Sequence, residues 1–311
     1  MNNNTGEAVS SSFDFGLSRR WLSGIPYEVA FWRSYYRNTN SRKALFSWSQ
    51  YGKECQLDHF DVAAFISRLD TSSPVIVDVG CALSYMFGNS FGGRKYDVVY
   101  LDPLAGFYNR ILDDYRLDLP RITFGMGETL SLHFPKSTVS LFHVRNALDH
   151  SVRPMMVIWQ ALMCLHVGGV LYLNHKPNEA EHEAYMGFHQ YNVDCQDGRL
   201  VIWNRSERID VAEALAPYAG VKASVTDDGR IVAVITKKEE LPAEHPVVME
   251  SSSYATGMMQ TILDYFHSAP NVMGYQVKRG VYSVGHGLMR LLPGGLVRGI
   301  KRIISGKKPV M

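Results

Sequence analysis

The chain has 311 residues, 46% of them hydrophobic and 20% charged, which is ordinary for a folded globular protein and argues against bulk disorder. Eight of its 32 Lys and Arg lie from Lys278 onward, where there is no Asp or Glu; the other 24 face all 30 acidic residues, a net of −6 upstream. A mildly acidic body argues against a broad nucleic-acid-binding face. No apolar run is long enough for a spanning helix, and Cys55, Cys81, Cys164 and Cys195 lack the spacing of a disulfide framework or a structural zinc site.

In chain order, residues 1–12 are polar, carry no secretory signal, and are expected to form a disordered leader on a cytoplasmic protein. Residues 13–73 are rich in Trp, Tyr and Phe and read as a helical cap. Pro26 opens one helix, and Phe60, Ala63, Ala64, Ile66 and Leu69 make an apolar stripe in another. From residue 74 to 240, short apolar runs alternate with helical segments. Strands are expected at Val75–Val79, Val98–Leu101, Ile122–Gly125, Ser140–Val144 and Val170–Asn174. Two more, Ala223–Thr226 and Ile231–Thr236, flank the turn Asp227-Asp228-Gly229. The expected fold is a Rossmann-like three-layer α/β sandwich with a mostly parallel seven-stranded sheet and a C-terminal antiparallel hairpin. An insertion at 175–210, with its own hairpin turning at Asp197-Gly198, lies where open α/β sheets bind ligands and is expected to select the substrate. Residues 241–311 form a helical extension ending in a basic, amphipathic tail broken by Pro293-Gly294-Gly295.

The first strand runs into Asp78-Val-Gly80-Cys81, a tight turn that brings backbone close to a ligand. Asp102-Pro103 closes the second strand, where a carboxylate can accept both hydroxyls of a ribose. Glu128 follows the third, where a carboxylate can meet an adenine amino group. Here the sequence resembles the class I S-adenosylmethionine-dependent methyltransferases, over roughly 74–238. Asp78-Val-Gly-Cys resembles the family's first motif, Leu101-Asp102-Pro103 its ribose-binding acid, and Gly127-Glu128-Thr-Leu its adenine-side stretch. Asn146-Ala-Leu-Asp-His150 and His166-Val-Gly-Gly resemble the motifs around its fourth and fifth strands, all in the family's order. The chain has Ala82 and Ser84 where the family usually carries further glycines. The resemblance implies S-adenosylmethionine as cofactor, held by Asp78, Gly80, Cys81, Asp102, Pro103, Glu128 and Asn146.

The cofactor would supply the reactive methyl, leaving the protein to hold the acceptor in line and manage its proton. Histidine suits that task near neutral pH. His150, with Asp149 beside it, is the expected base and His175 the second candidate, while Arg145, His189 and Tyr191 are expected to contact substrate. His143, inside a strand, reads as a core residue. A divalent cation would find Asn146, Asp149 and His150, with His175, Glu179, Glu181 and His182 nearby, but Asn146 stands where an acid is wanted and no metal is expected.

Asn174-His-Lys-Pro-Asn-Glu-Ala-Glu181, Tyr185-Met-Gly-Phe-His-Gln-Tyr-Asn192 and the leader Gly24-Ile-Pro-Tyr-Glu-Val-Ala-Phe-Trp32 resemble methyltransferases of bacterial surface-polysaccharide assembly. That implies O-methylation of a sugar hydroxyl. The alternatives are another small-molecule acceptor at O, N or C, or a non-catalytic scaffold. The aromatic residues Phe31, Trp32, Tyr35, Tyr36, Trp48 and Tyr51 could stack on sugar rings. A small-molecule or glycan substrate, no nucleic acid, and a homo-oligomer are the expected partners. The tail, with Arg290, Arg298, Lys301 and Arg302 among Leu and Ile, is expected to touch the inner face of the membrane.

Overall fold

The computed structural model describes residues 15–268 and 273–289, with Leu292, Pro293 and Leu296. The expected leader and nearly all of the basic tail lie outside the described residues. No described helix is long and apolar enough to cross a membrane.

Four helices come first: α1 (Phe15–Leu22), α2 (Ile25–Arg37), α3 (Thr39–Trp48) and α4 (Val62–Ser67). Pro26 sits in the first turn of α2, where its missing N–H costs nothing. Asn38 caps α3 through Ser41 N, and Asp61 caps α4 through Ala64 N. The strands and helices that follow are β1 (Ile76–Val79), β2 (Ser90–Phe91), β3 (Arg94–Lys95), β4 (Val98–Asp102), α5 (Ala105–Asp114), β5 (Thr123–Phe124), β6 (Val139–Arg145), α6 (Pro154–Cys164) and β7 (Leu165–His175). The inserted region gives α7 (Glu179–His182), β8 (Asn192–Gln196), β9 (Arg199–Trp203) and β10 (Arg208–Asp210). Then come α8 (Val211–Leu215), β11 (Ala219–Val225), β12 (Ile231–Lys237), α9 (Pro246–Ser268) and α10 (Met273–Met289).

Seven strands form one sheet in the order β11-β12-β7-β6-β1-β4-β5. Only β12 runs against its neighbours β7 and β11; every other pairing is parallel. This is the expected α/β sandwich. Because the chain winds outward from β1 in both directions, a crevice opens at the carboxyl ends of β1 and β6.

Alternation sends β1 side chains to opposite faces. Val77 and Val79 join the core beneath α6, while Ile76 joins the core beneath α4. The expected cap therefore divides. Helices α1 to α3 pack over α5 and the loop after β1, but α4 belongs to the sheet's own outer layer. Within α4 the buried residues are Val62, Phe65 and Ile66, not Ala63 and Ala64, because the larger side chains pack into the core with Ile76, Leu141 and Tyr172.

The insertion hairpin β8–β9 turns at Asp197 and Gly198, both with positive φ. Its Val193, Leu200 and Ile202 enter the main core, so most of the hairpin supports the sheet and does not face the crevice. Helix α6 is buried at every position but Met155, because α9 lies across it. Gln160 ties the two together, accepting from Ser131 N and donating to Ser251 O.

Candidate functional site

The crevice holds a cavity of about 710 Å³. At its β1/β4 end the chain leaves β1 through Gly80, at φ +68, whose N–H donates to Leu101 O at 2.8 Å. Ala82 follows at φ +46, a conformation glycine would adopt without strain. The loop is held from above: Tyr36 Oη donates to Leu83 O at 2.8 Å and Gln50 N to Tyr85 O at 2.8 Å.

Asp102, at the end of β4, is 6% exposed and lines the cavity. Its Oδ1 accepts from Leu104 N at 2.8 Å and its Oδ2 from Ala82 N at 3.1 Å. Burial lifts the carboxyl to about 7 against those two bonds. Pro103, Gly127 and Glu128 line the same end. Glu128 Oε1 already accepts from Val152 N at 2.7 Å, so this side chain also caps the turn before α6; burial raises its carboxyl.

Two of the expected cofactor residues lie elsewhere. Asp78 points to the opposite face of β1, where its Oδ1 meets His143 Nδ1 at 2.7 Å and both are buried. The strand's two-residue period puts it there, and His143, stacked between Phe87 and Tyr172, is the core residue expected. Cys81 is buried among the cap residues and does not line the cavity.

At the β6/β7 end the cavity is lined by Arg145, Asn146, His150, Lys176 and Phe188. Asn146 takes φ +47, and its Oδ1 accepts from Lys176 N and from Arg230, both at 3.0 Å. His150 closes a single 3₁₀ turn, Leu148–His150. Its carbonyl accepts from Trp21 Nε1 at 2.7 Å, and Trp21 stacks on Phe188 at 4.7 Å.

Behind His150 lies a group absent from the cavity wall. His189 Nδ1 stands 2.8 Å from Asp149 Oδ2 and 3.2 Å from His150 Nε2. His175 Nδ1 is 3.9 Å from Asp149 Oδ1. Burial alone would raise Asp149, but His150, His189 and His175 outweigh it and hold the carboxyl well below the usual range. Burial also opposes charge on His189, yet its bond to Asp149 raises its pKa. His175, wholly buried, is pushed down to about 4 by desolvation despite Asp149. His175 and His189 thus sit behind His150 and do not face an acceptor directly. Tyr191 is buried too, donating to Glu207 at 2.8 Å, and does not line the cavity.

The roof comes from α2 and α3. Phe31, Trp32, Tyr35 and Trp48 line the cavity as the aromatic pattern suggested, whereas Tyr36 is core and Tyr51 packs on Tyr85 and Tyr100. Glu28 was missed. It lines the cavity, accepts from Trp32 Nε1 at 2.8 Å, and adds to the lift on Asp102. Its spacing of four from Trp32 was the available signal.

No protein-family model and no curated protein matches the chain. Among solved structures, a Pyrococcus horikoshii protein aligns at 14% identity over 65% of this chain and 93% of its own, with a TM-score of 0.35. A CurJ carbon methyltransferase aligns at 12% over 56% and 51%, with a TM-score of 0.37. A T. thermophilus 16S rRNA methyltransferase in complex with AdoMet and guanosine aligns at 14% over 60% and 42%, with a TM-score of 0.34. Overlap at this level adds nothing beyond the sheet topology already described. One of these proteins acts on RNA, so the comparisons lend no support to the expected exclusion of nucleic acid.

Proposed function

We propose that the chain is an S-adenosylmethionine-dependent methyltransferase. The observation that carries this reading is one continuous cavity with Gly80, Asp102 and Glu128 at one end and His150 at the other. The loop after β1 would face the amino-acid part of the cofactor, and Asp102 would accept from its ribose. Glu28, which also lines the cavity, would add a second carboxylate to the wall facing a cationic cofactor. An acceptor bound in the cavity toward His150 would be held for the in-line displacement that methyl transfer needs. Asp149 and His189 would hold His150 in place, and the acceptor's proton would leave at this end of the cavity.

The acceptor we propose is a sugar hydroxyl, in polysaccharide or glycoconjugate assembly. Its support is the aromatic roof, which offers flat apolar faces to a sugar ring, and the resemblance carried by 24–32 and 174–192. Titration calorimetry with S-adenosylhomocysteine tests the cofactor half: micromolar affinity in the parent chain, lost by tenfold or more in Asp102→Ala, is expected. Absence of binding to the parent chain overturns the reading. Transfer of labelled methyl to nucleotide-activated and lipid-linked sugars tests the acceptor.

A further inference from the structure

Two imidazoles and a carboxylate converge where the hydrogen-bonding capacity does not match. His189 Nδ1, His150 Nε2 and Asp149 Oδ2 lie 2.8, 3.2 and 3.6 Å apart pairwise. If His189 Nδ1 carries a proton, that proton goes to Asp149 Oδ2, and His150 Nε2 faces the same nitrogen with no lone pair left to meet. A single proton would have to serve three heavy atoms. A cation would use all three lone pairs at once. A tetrahedral zinc ion, with Zn–N and Zn–O bonds of about 2.0–2.2 Å, keeps its ligand atoms roughly 3.3 Å apart, in the middle of the observed range.

A second observation points the same way. Asp149 Oδ1 and His175 Nε2 are buried without hydrogen-bond partners, in residues 3% and 1% exposed. Leaving such atoms unpaired is costly, and Oδ1, the second oxygen of the same carboxylate, would share the ion in a bidentate contact, while His175 Nε2 would not be reached by it. His175 Nδ1 lies 3.9 Å from Asp149 Oδ1, beyond hydrogen-bond reach but on the same side of the carboxylate. The backbone is already set for this: Gln190 N and Tyr191 N both donate to Asp149 O, at 3.0 and 3.3 Å, fixing the insertion against the turn after β6.

We propose that Asp149, His150 and His189 form a divalent-cation site, zinc by its donor set, placed behind His150, the one of the three that lines the cavity. Two imidazoles and a carboxylate are a donor set that zinc takes readily. The sequence-based metal set differed, because it lacked His189 and relied on Asn146. Binding of the ion stands independently of the cofactor. Its bearing on methyl transfer rests on the reading above: with its Nε2 on the ion, His150 would be a ligand and not a free base, and the acceptor's proton would leave to cavity water as the oxygen lone pair bonds the methyl carbon and the carbon–sulfur pair goes to sulfur.

The full chain, stripped with chelator and desalted, is equilibrated with zinc chloride or cobalt chloride, and bound metal is measured by mass spectrometry. One ion per chain is expected, with the visible bands of a four-coordinate site in the cobalt form. His189→Ala and Asp149→Asn are each expected to weaken binding about tenfold or more. His182→Ala, on the exposed end of α7, should bind as the parent does. Circular dichroism on the same samples separates ligand loss from unfolding. A parent chain that retains no stoichiometric ion overturns the site, as does undiminished binding in both ligand variants. Metal bound without affinity for S-adenosylhomocysteine would sink the methyl-transfer reading and leave the site intact.

Discussion

At the scale of single residues, the cavity's β1/β4 end depends on one backbone conformation and one carboxyl. Gly80 is at φ +68, and a Cβ there would press well inside contact distance of Ala147 Cβ. Gly80→Ala is therefore expected to destabilise the fold by about 2–3 kcal/mol, read by urea denaturation, and to abolish cofactor binding even where the chain still folds. Asp102 carries the pH dependence. Its carboxyl is raised from 3.8 to about 7, so the folded chain holds a proton there that the unfolded chain has lost. This group's contribution to stability is present below the unfolded pKa and disappears as pH rises towards 7. Accepting two ribose hydroxyls requires the ionised form, so affinity for S-adenosylhomocysteine is expected to increase between about pH 6 and 8. In Asp102→Asn both slopes should flatten, seen by calorimetry and by thermal melts at each pH. An affinity that falls with pH in the parent chain would contradict this assignment.

At the scale of elements, the His150 turn is held by parts far away in the chain. Trp21 on α1 donates to its carbonyl, and Phe188 from the insertion stacks on Trp21. Trp21→Phe keeps the stack and loses the N–H bond, which should cost about 1 kcal/mol in stability. Turnover is expected to fall more than cofactor affinity, because the His150 turn is loosened while Asp102 is untouched. Equal losses in kcat and in cofactor affinity would argue against that positioning role. The strands of the main sheet and the turns at Asp197-Gly198 and Asp227-Asp228-Gly229 were legible in the sequence, but β7 begins at Leu165 and β11 at Ala219, five and four residues before the apolar runs that marked them. Side-chain direction was less so. Asp78 matched a motif, but only the phase of β1 in the sheet shows that it serves His143 on the far face.

For the whole molecule, the C-terminal region completes the core. Tyr254, Ala255, Met258 and Ile262 of α9 are at most 2% exposed and cover α6 and the cap. Burying each larger apolar side chain is worth about 1.5–3 kcal/mol, so a 1–245 chain would lose a large part of an ordinary domain's stability. Such a truncation is expected to aggregate or to lack a cooperative melt, whereas a monodisperse 1–245 chain with the parent's melting temperature would show the extension to be an accessory. Further out, α10 packs its Tyr282 against Tyr27 of α2 while Val277, Val281 and Val284 face solvent.

The sheet and the turn at Gly80 were determined by sequence alone, as was the acid at the end of β4, because each follows from periodicities and turn chemistry spanning a few residues. Tertiary structure decided what the cavity's other end is made of. His189 reaches Asp149 across 40 positions, and Trp21 reaches His150 across 129, through the docking of the insertion and the cap. No local pattern encodes such meetings, since they depend on how separately formed surfaces bury one another.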